Sequence, residues 1–429
     1  MVTQIGNGYG TQDEEGPTPE PAFYEQKSAR DVLGKILSTN FAVMAAGMND
    51  AATGVLIPYI QPTYHIGLLQ VSLIYLVNFT GWTCACFANI HVCSRLGTGG
   101  TLVLGAISQC LGYALMFWGP PYPLFMAAFF FTGMGVAFQD AQANAFTITV
   151  KNSHRWLGIL HAVYGLGTII APLIANTIAS RTPYWHQYYI ITFGVGVFNI
   201  LLLSWTFRRG LFRPNVSNAK DTAGSELKAT LANRSVWILN GFFFLYAGAE
   251  VASGGWIVQF LISVRHGDAK KVGYVASAFW TGFTLGRVVL ADITHKFGER
   301  RMVSFYLILA LVMQLLFWFV PNIPVNAVAV CLLGFFIGPF YPVGLYVLTE
   351  VVPPELHVGA IGFTASLGQA GAAAFPFMTG AIASKAGVQV LQPIMVGLLI
   401  GIGIFWTLVP KPESTRHGND DENARLIDS

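Results

Sequence analysis

Apolar runs of about 20 residues follow one another from residue 36 to residue 410, with only short polar interruptions. That is the length an α-helix needs to cross ~30 Å of hydrocarbon. In lipid every backbone N–H and C=O must be paired within the chain, so only helices and closed barrels can span. A barrel needs segments of ~10 residues that alternate apolar and polar, and the continuous runs exclude it. The chain is 54% hydrophobic and 10% charged, against roughly 25% charged in soluble domains. An all-α polytopic membrane protein follows, with no room for a large soluble domain.

Twelve transmembrane helices are expected, at 36–60, 69–91, 99–118, 123–150, 156–180, 188–208, 235–262, 271–294, 302–320, 325–350, 357–383 and 391–410. Turn signals such as Gly119-Pro120-Pro121 and Val320-Pro321-Asn322 mark short connections. One long connection, 209–234, reads as a linker between bundles at 36–208 and 235–410. Residues 1–35 and 411–429 are polar and read as disordered tails, and the first lacks the apolar core of a signal peptide. Of the 24 Lys and Arg, only Arg287 falls in the interior of a span, Arg208 and Lys271 being end residues of theirs. Arg181, Arg265, Lys270, Lys271 and Lys385 fall on one side, and the other eighteen on the side of the termini. Cytoplasmic loops carry the Lys and Arg excess, so both termini are expected in the cytoplasm, most simply beneath the plasma membrane.

The two halves repeat. Phe79-Thr80-Gly81-Trp82 matches Trp280-Thr281-Gly282-Phe283 at an offset of 201, which also brings Ala46-Gly47 onto Ala247-Gly248 and Gly54 onto Gly255. The fifth and eleventh spans align at 204, Gly158 with Gly362, Gly167 with Gly371 and Pro172 with Pro376. Two pseudo-symmetric six-helix bundles with a site between them at mid-membrane are the expectation.

Three acids lie deep inside spans, while Asp292 and Glu350 stand at the ends of theirs. Asn49-Asp50 sits in the first; a carboxylate at the centre of a spanning helix costs about 2.5–3.5 kcal/mol on insertion scales. It needs a partner, a water-filled cavity or a task. In the fourth span Asp140, Asn144 and Thr147 share one face, with Gln142 beside them. A carboxylate with an amide one turn away can hold a hydroxyl-rich ligand and carry a proton across. The seventh span has Glu250, followed by Gly254-Gly255-Trp256. The competing readings are structural: Asp50 as interhelical glue, Asp140 paired with Arg155, Glu250 bonded to the eleventh span. Asn49, Asp50, Gln142, Asn144, Glu250, Trp256 and Tyr341 are the substrate-binding candidates, and Asp140 is the proton-coupling candidate.

Other chemistry is absent from the pattern. Gly97-Thr98-Gly99-Gly100 lacks the Lys and Ser/Thr of a phosphate loop. Cys84, Cys86, Cys93, Cys110 and Cys331 match no metal-site spacing and read as buried free thiols. No nucleophile–base pair stands out, so no enzyme, cofactor, metal site or nucleic-acid partner is expected. The expected partners are a small-molecule solute, protons and membrane lipids, and the expected state is a monomer.

Asn49-Asp50 followed by Pro58, and Gly133-x-Gly135 followed by Asp140-x-x-x-Asn144, resemble the fucose–proton symporter (fucose permease) group of the major facilitator superfamily. The polar tails resemble those of fungal members. The resemblance spans about 36–410. It implies that Asp50 contacts substrate, that Asp140 couples protons, and that spans 1, 4, 7 and 10 line the cavity. It also implies that Arg287, Asp292 and Arg301, in the Gly286-to-Arg301 stretch, form a conformational latch. The sequence departs from the group at Asp140, where the group has Glu, and at Tyr164, where it has a polar amide. The implied activity is a proton-coupled secondary active transporter of a sugar-like solute working by alternating access. A proton-driven efflux transporter of a less polar metabolite and a non-transporting membrane sensor are the alternatives.

Overall fold

The computed structural model describes residues 29–209, 211 and 223–410. The expected tails, outside 29–35, and much of the 209–234 connection fall outside that range. Twelve helical spans are present, and no strand occurs among the described residues. We label them α1 (Ala29–Tyr64), α2 (68–96), α3 (98–116), α4 (Tyr122–Ile148), α5 (Ser153–Arg181), α6 (Tyr188–Thr206), α7 (Arg234–Ser263), α8 (Tyr274–Phe297), α9 (Glu299–Phe319), α10 (Ile323–Val351), α11 (His357–Ala386) and α12 (Leu391–Leu408). α2 and α3 form one run, Leu68–Met116, broken where Gly97 turns to φ 69°. α10 breaks at Gly338-Pro339. α1 begins at Ala29 rather than residue 36, so the first span takes in the last residues assigned to the tail. The linker carries a short helix, Ala223–Ala232.

Apolar side chains such as Leu201, Trp205 and Phe319 are exposed on the outer surface, as a lipid-facing wall requires. The thiols differ from expectation. Cys110 is buried, but Cys84 and Cys86 lie exposed on α2, and Cys93 and Cys331 are half-buried.

Close helix crossings are set by glycine, and they repeat. A Cβ on Gly81 would meet the Phe130 carbonyl across α2 and α4; one on Gly282 would meet the Cys331 carbonyl across α8 and α10. Gly133 abuts Asn78, and Gly334 abuts Phe279. All four residues of each set differ by 201. Small residues let backbones approach where no hydrophobic force drives helices together in lipid.

The halves meet unevenly. Gly54 of α1 seats against Gly254 and Gly255 of α7, Gly380 of α11 against Ser72 of α2, and Gly273 against Asn176 of α5. Asn176 Nδ2 donates to the Lys270 carbonyl at 2.9 Å. Thr177 and Tyr274 share a hydrogen bond of 3.0 Å. These contacts lie toward the end opposite the Lys and Arg excess; Gly165 against Thr284 marks mid-depth. At the basic end, Gly158 of α5 and Gly362 of α11 have nothing within 4 Å of a would-be Cβ. Gly158 lies two turns from Gly165 and Gly362 five turns from Gly380, so each faces the other half. The halves are closed at one end and parted at the basic end.

Gly282→Leu drives a side chain into the Cys331 backbone, and overpacking of this kind costs about 1–3 kcal/mol or more. It should lower the melting temperature of the detergent-purified protein, or abolish a monodisperse fraction. Gly158→Leu, which points into open space, should leave the melt unchanged.

Candidate functional site

Asp50 lies in the middle of α1, yet it is exposed. A mid-span carboxylate that reaches solvent sits on the space between the halves. Asn49 Nδ2 donates to Asp50 Oδ1 at 3.1 Å, and the Tyr164 hydroxyl of α5 donates to Oδ2 at 2.9 Å. Tyr164 comes this close because α1 and α5 pack backbone to backbone, Gly47 against the Tyr164 carbonyl and Gly167 against that of Met44. Both carboxylate oxygens are thus held by neutral donors, and no cation pairs with Asp50 among the described residues.

Asp140 lies half-buried on α4. Asn144 Nδ2, one turn along, donates to its Oδ1 at 3.0 Å and to its backbone carbonyl at 2.9 Å. No ion pair with Asp140 occurs among the described residues, so the pairing with Arg155 is not formed. Asp140 and Asp50 are close enough for their charges to interact.

The second half answers with a pair. Glu250 of α7 faces Arg287 of α8, Oε1 to Nη2 3.9 Å, with side chains 13% and 16% exposed. Arg287 also donates through Nε to the Gly338 carbonyl at 3.2 Å and through Nη2 to the Tyr246 hydroxyl at 3.3 Å. Its guanidinium stacks 4.3 Å from the Phe283 ring centroid. The Gly338-Pro339 break in α10 leaves a turn carbonyl for this contact. Tyr341, just past the break, packs edge-on to Phe243 with centroids 5.3 Å apart. It lies within electrostatic reach of Asp140, Arg287 and Glu250. His161 of α5 lies within electrostatic reach of Arg287. Glu250 likewise lies within electrostatic reach of Asp50.

The candidates named from sequence are therefore distributed unequally. Asn49, Asp50, Asp140, Asn144, Glu250 and Tyr341 gather around one space. Gln142 does not: its amide donates to Asn89 Oδ1 at 2.9 Å and accepts from Cys93, joining α4 to α2. Trp256 is fully buried and donates to the Pro376 carbonyl at 3.0 Å, inside the second bundle. Arg287 sits with Glu250 in the interior rather than at a surface loop. Asp292 and Arg301 are exposed and form no ion pair among the described residues. The neighbouring Arg300 instead reaches the residues just past α12, where it donates to the Val409 carbonyl at 2.7 Å and to that of Pro410. Tyr246, Tyr113, Gln109 and Asn199 escaped sequence reasoning, although Gln109 and Tyr113 stand one turn apart in an otherwise apolar span.

With this geometry in place, similarity to known proteins becomes informative. The family profile described as Major Facilitator Superfamily matches residues 39–268 and 241–428. Bypass of stop codon protein 6 of Saccharomyces cerevisiae is 26% identical over 400 residues, covering 85% of this chain and 80% of that protein. The glucose/mannose transporter GlcP of Bacillus subtilis is 20% identical over 372 residues, covering 83% and 91%. The crystal structure of the E. coli fucose:proton symporter FucP superposes with a TM-score of 0.62 at 19% identity, covering 89% and 98%.

Removing one partner of a buried ion pair leaves the other uncompensated, at about 3–5 kcal/mol. Arg287→Met should lower the melting temperature steeply, and Glu250→Met combined with it should recover much of the loss. A double-mutant cycle on thermal unfolding reads the coupling, and additive losses would show that the two groups do not interact.

Proposed function

The chain belongs to the Major Facilitator Superfamily, and from that premise we propose that it is a proton-coupled secondary transporter of a small, sugar-like solute. The observation that carries the proposal is the gathering of Asp50, Asp140 and Glu250 around one space between two like bundles. Intramembrane carboxylates in such positions mark substrate or proton pathways. Asp50 and Asp140 have no cation partner among the described residues, so each is free to take up a proton or a ligand hydroxyl.

The roles divide by partner. Asp50 accepts two fixed donors and is oriented, which suits a group that hydrogen-bonds the solute. Asp140 has one amide neighbour on its own helix and suits a group that exchanges protons. Glu250 is already engaged by Arg287, and a solute reaching it competes with that pair. Asn49, Asn144 and Tyr341 complete the polar and aromatic lining. The names of the relatives, a glucose/mannose transporter and a fucose:proton symporter, agree with a neutral polyhydroxylated solute.

With the basic end in the cytoplasm, the conformation described is open to the cytoplasm and closed outward. Transport then requires the seam at the far end to part and the basic end to close. Asp292 and Arg301, exposed at the basic end, are placed to pair when it closes. Export of a less polar metabolite is the second reading. The packing of Tyr341 on Phe243 favours it, because aromatic faces suit apolar solutes as well as sugars.

Proteoliposomes with an imposed pH gradient and a panel of solutes test the proposal. Asp140→Asn should abolish pH-driven uptake and retain counterflow of the same solute. Loss of both in a well-folded variant would show Asp140 to be structural.

A further inference from the structure

Six polar side chains of the first bundle form one run of hydrogen bonds that ends on Asp50. Asn199 of α6 donates Nδ2–H to Gln139 Oε1 of α4 at 2.7 Å. Gln139 donates Nε2–H to Gln109 Oε1 of α3 at 2.8 Å. Gln109 donates to the Tyr113 hydroxyl, one turn along, at 2.8 Å. The Tyr113 hydroxyl donates to Asn49 Oδ1 of α1 at 3.4 Å. Asn49 then donates to Asp50 Oδ1 at 3.1 Å. Every bond points the same way, toward the carboxylate. Asn199 and Gln139 are 0% exposed, and Gln109 and Tyr113 are 1% exposed, so none of these four lines the space between the halves.

Interhelical glue does not need that polarity. The second bundle shows the contrast: Gln314 of α9 donates to Gln392 of α12, both buried, and the pairing stops there. In the first bundle four helices contribute to one chain, and the chain terminates on the one site carboxylate exposed to the space between the halves. Hydrogen bonds in series polarise one another, by about 10–30% per bond. Donors aimed at a carboxylate favour its charged form.

We propose that Gln109, Tyr113, Gln139 and Asn199 are positioning residues that aim the Asn49 amide at Asp50. The relay on one side and Tyr164 on the other hold the carboxylate charged and in one orientation. The inference rests on reading Asp50 as the solute-side acid. The titratable groups within electrostatic reach of Asp50 are Asp140 from α4, Glu250 from α7, Tyr113 from α3 and Tyr164 from α5. Arg287 of α8 lies within electrostatic reach of both Tyr164 and His161 of α5. Substituting Gln109 or Gln139 leaves all of these in place, and of them only Tyr113 loses a direct partner, the Gln109 amide. Asp140, which no relay reaches, remains the acid that exchanges protons.

Dicyclohexylcarbodiimide modifies carboxyl groups that carry a proton, and peptide mass spectrometry reads Asp50 and Asp140 separately in the full-length purified protein. Gln109→Leu and Gln139→Leu should label at Asp50 about threefold faster than the parent near neutral pH, a half-unit change in proton affinity. Asp140 labelling should stay unchanged, and Gln314→Leu should move neither. Tyr113→Phe deletes one oxygen and keeps the ring, so it carries the test if a glutamine variant does not fold. Parental Asp50 labelling in folded Gln139→Leu or Tyr113→Phe would overturn the proposal. A gain as large in Gln314→Leu would also overturn it. Because the readout needs no solute, it separates failure of the relay from failure of the transport reading.

Discussion

The hydrocarbon core of a membrane offers no water, and that single lack organises this molecule. Each polar group inside the bilayer must find a partner in the protein or face a space that water can enter. The first bundle meets the demand by linking Asn199, Gln139, Gln109 and Tyr113 across helices, and the second by setting Arg287 among Glu250, Tyr246 and the Gly338 carbonyl. Two mid-span carboxylates with no cation partner among the described residues, Asp50 and Asp140, are turned to the interior space. The hydrogen-bond account does not close everywhere: Asn199 Oδ1, Trp280 Nε1 and Gln392 Nε2 are buried without a partner among the described residues.

Glycine supplies the geometry that this account requires. Tyr164 reaches Asp50 because Gly47 and Gly167 bring α1 and α5 into backbone contact. Gly282 and Gly286 of α8 lie against Cys331 and Phe335 of α10, close to the break that gives Arg287 its carbonyl. Side chains of ordinary reach then span the distance between helices. Packing and chemistry are therefore one problem here: a methyl group at a crossing would withdraw a donor from the site.

Much of the fold was legible in the sequence because its signals are local. Span length, turn residues and the Lys and Arg distribution need no knowledge of neighbours, and the repeat showed in Gly81 and Gly282 before any contact was known. The acids were legible for the same reason, since Asp50, Asp140 and Glu250 interrupt apolar runs. What failed depended on which face of a helix points where. Trp256 and Gln142 turn into bundle interiors, and nothing along α7 or α4 marks that rotation. Arg300 rather than Arg301 reaches the residues just past α12, because one residue is about 100° of helix. The pairing of Arg287 with Glu250 joins residues of two different helices, a relation that spacing does not carry. The relay shows the limit most plainly: Gln109 and Tyr113 were visible as polar interruptions, but their partners lie on α4 and α1.

The open glycines at the basic end hold a further meaning. Along the antiparallel seam of α5 and α8, Gly165 faces Thr284 and Asn176 faces Gly273, one register throughout. Continued to the basic end, that register sets Gly158 opposite Ala291. The seam of α11 and α2, which seats Gly380 on Ser72, continues to set Gly362 opposite Ile90. The two pairs are copies of each other under the offsets of 204 and 201. The two sides of the gap are thus built alike, as the two sides of the closed seam are, because each half of the molecule repeats the other.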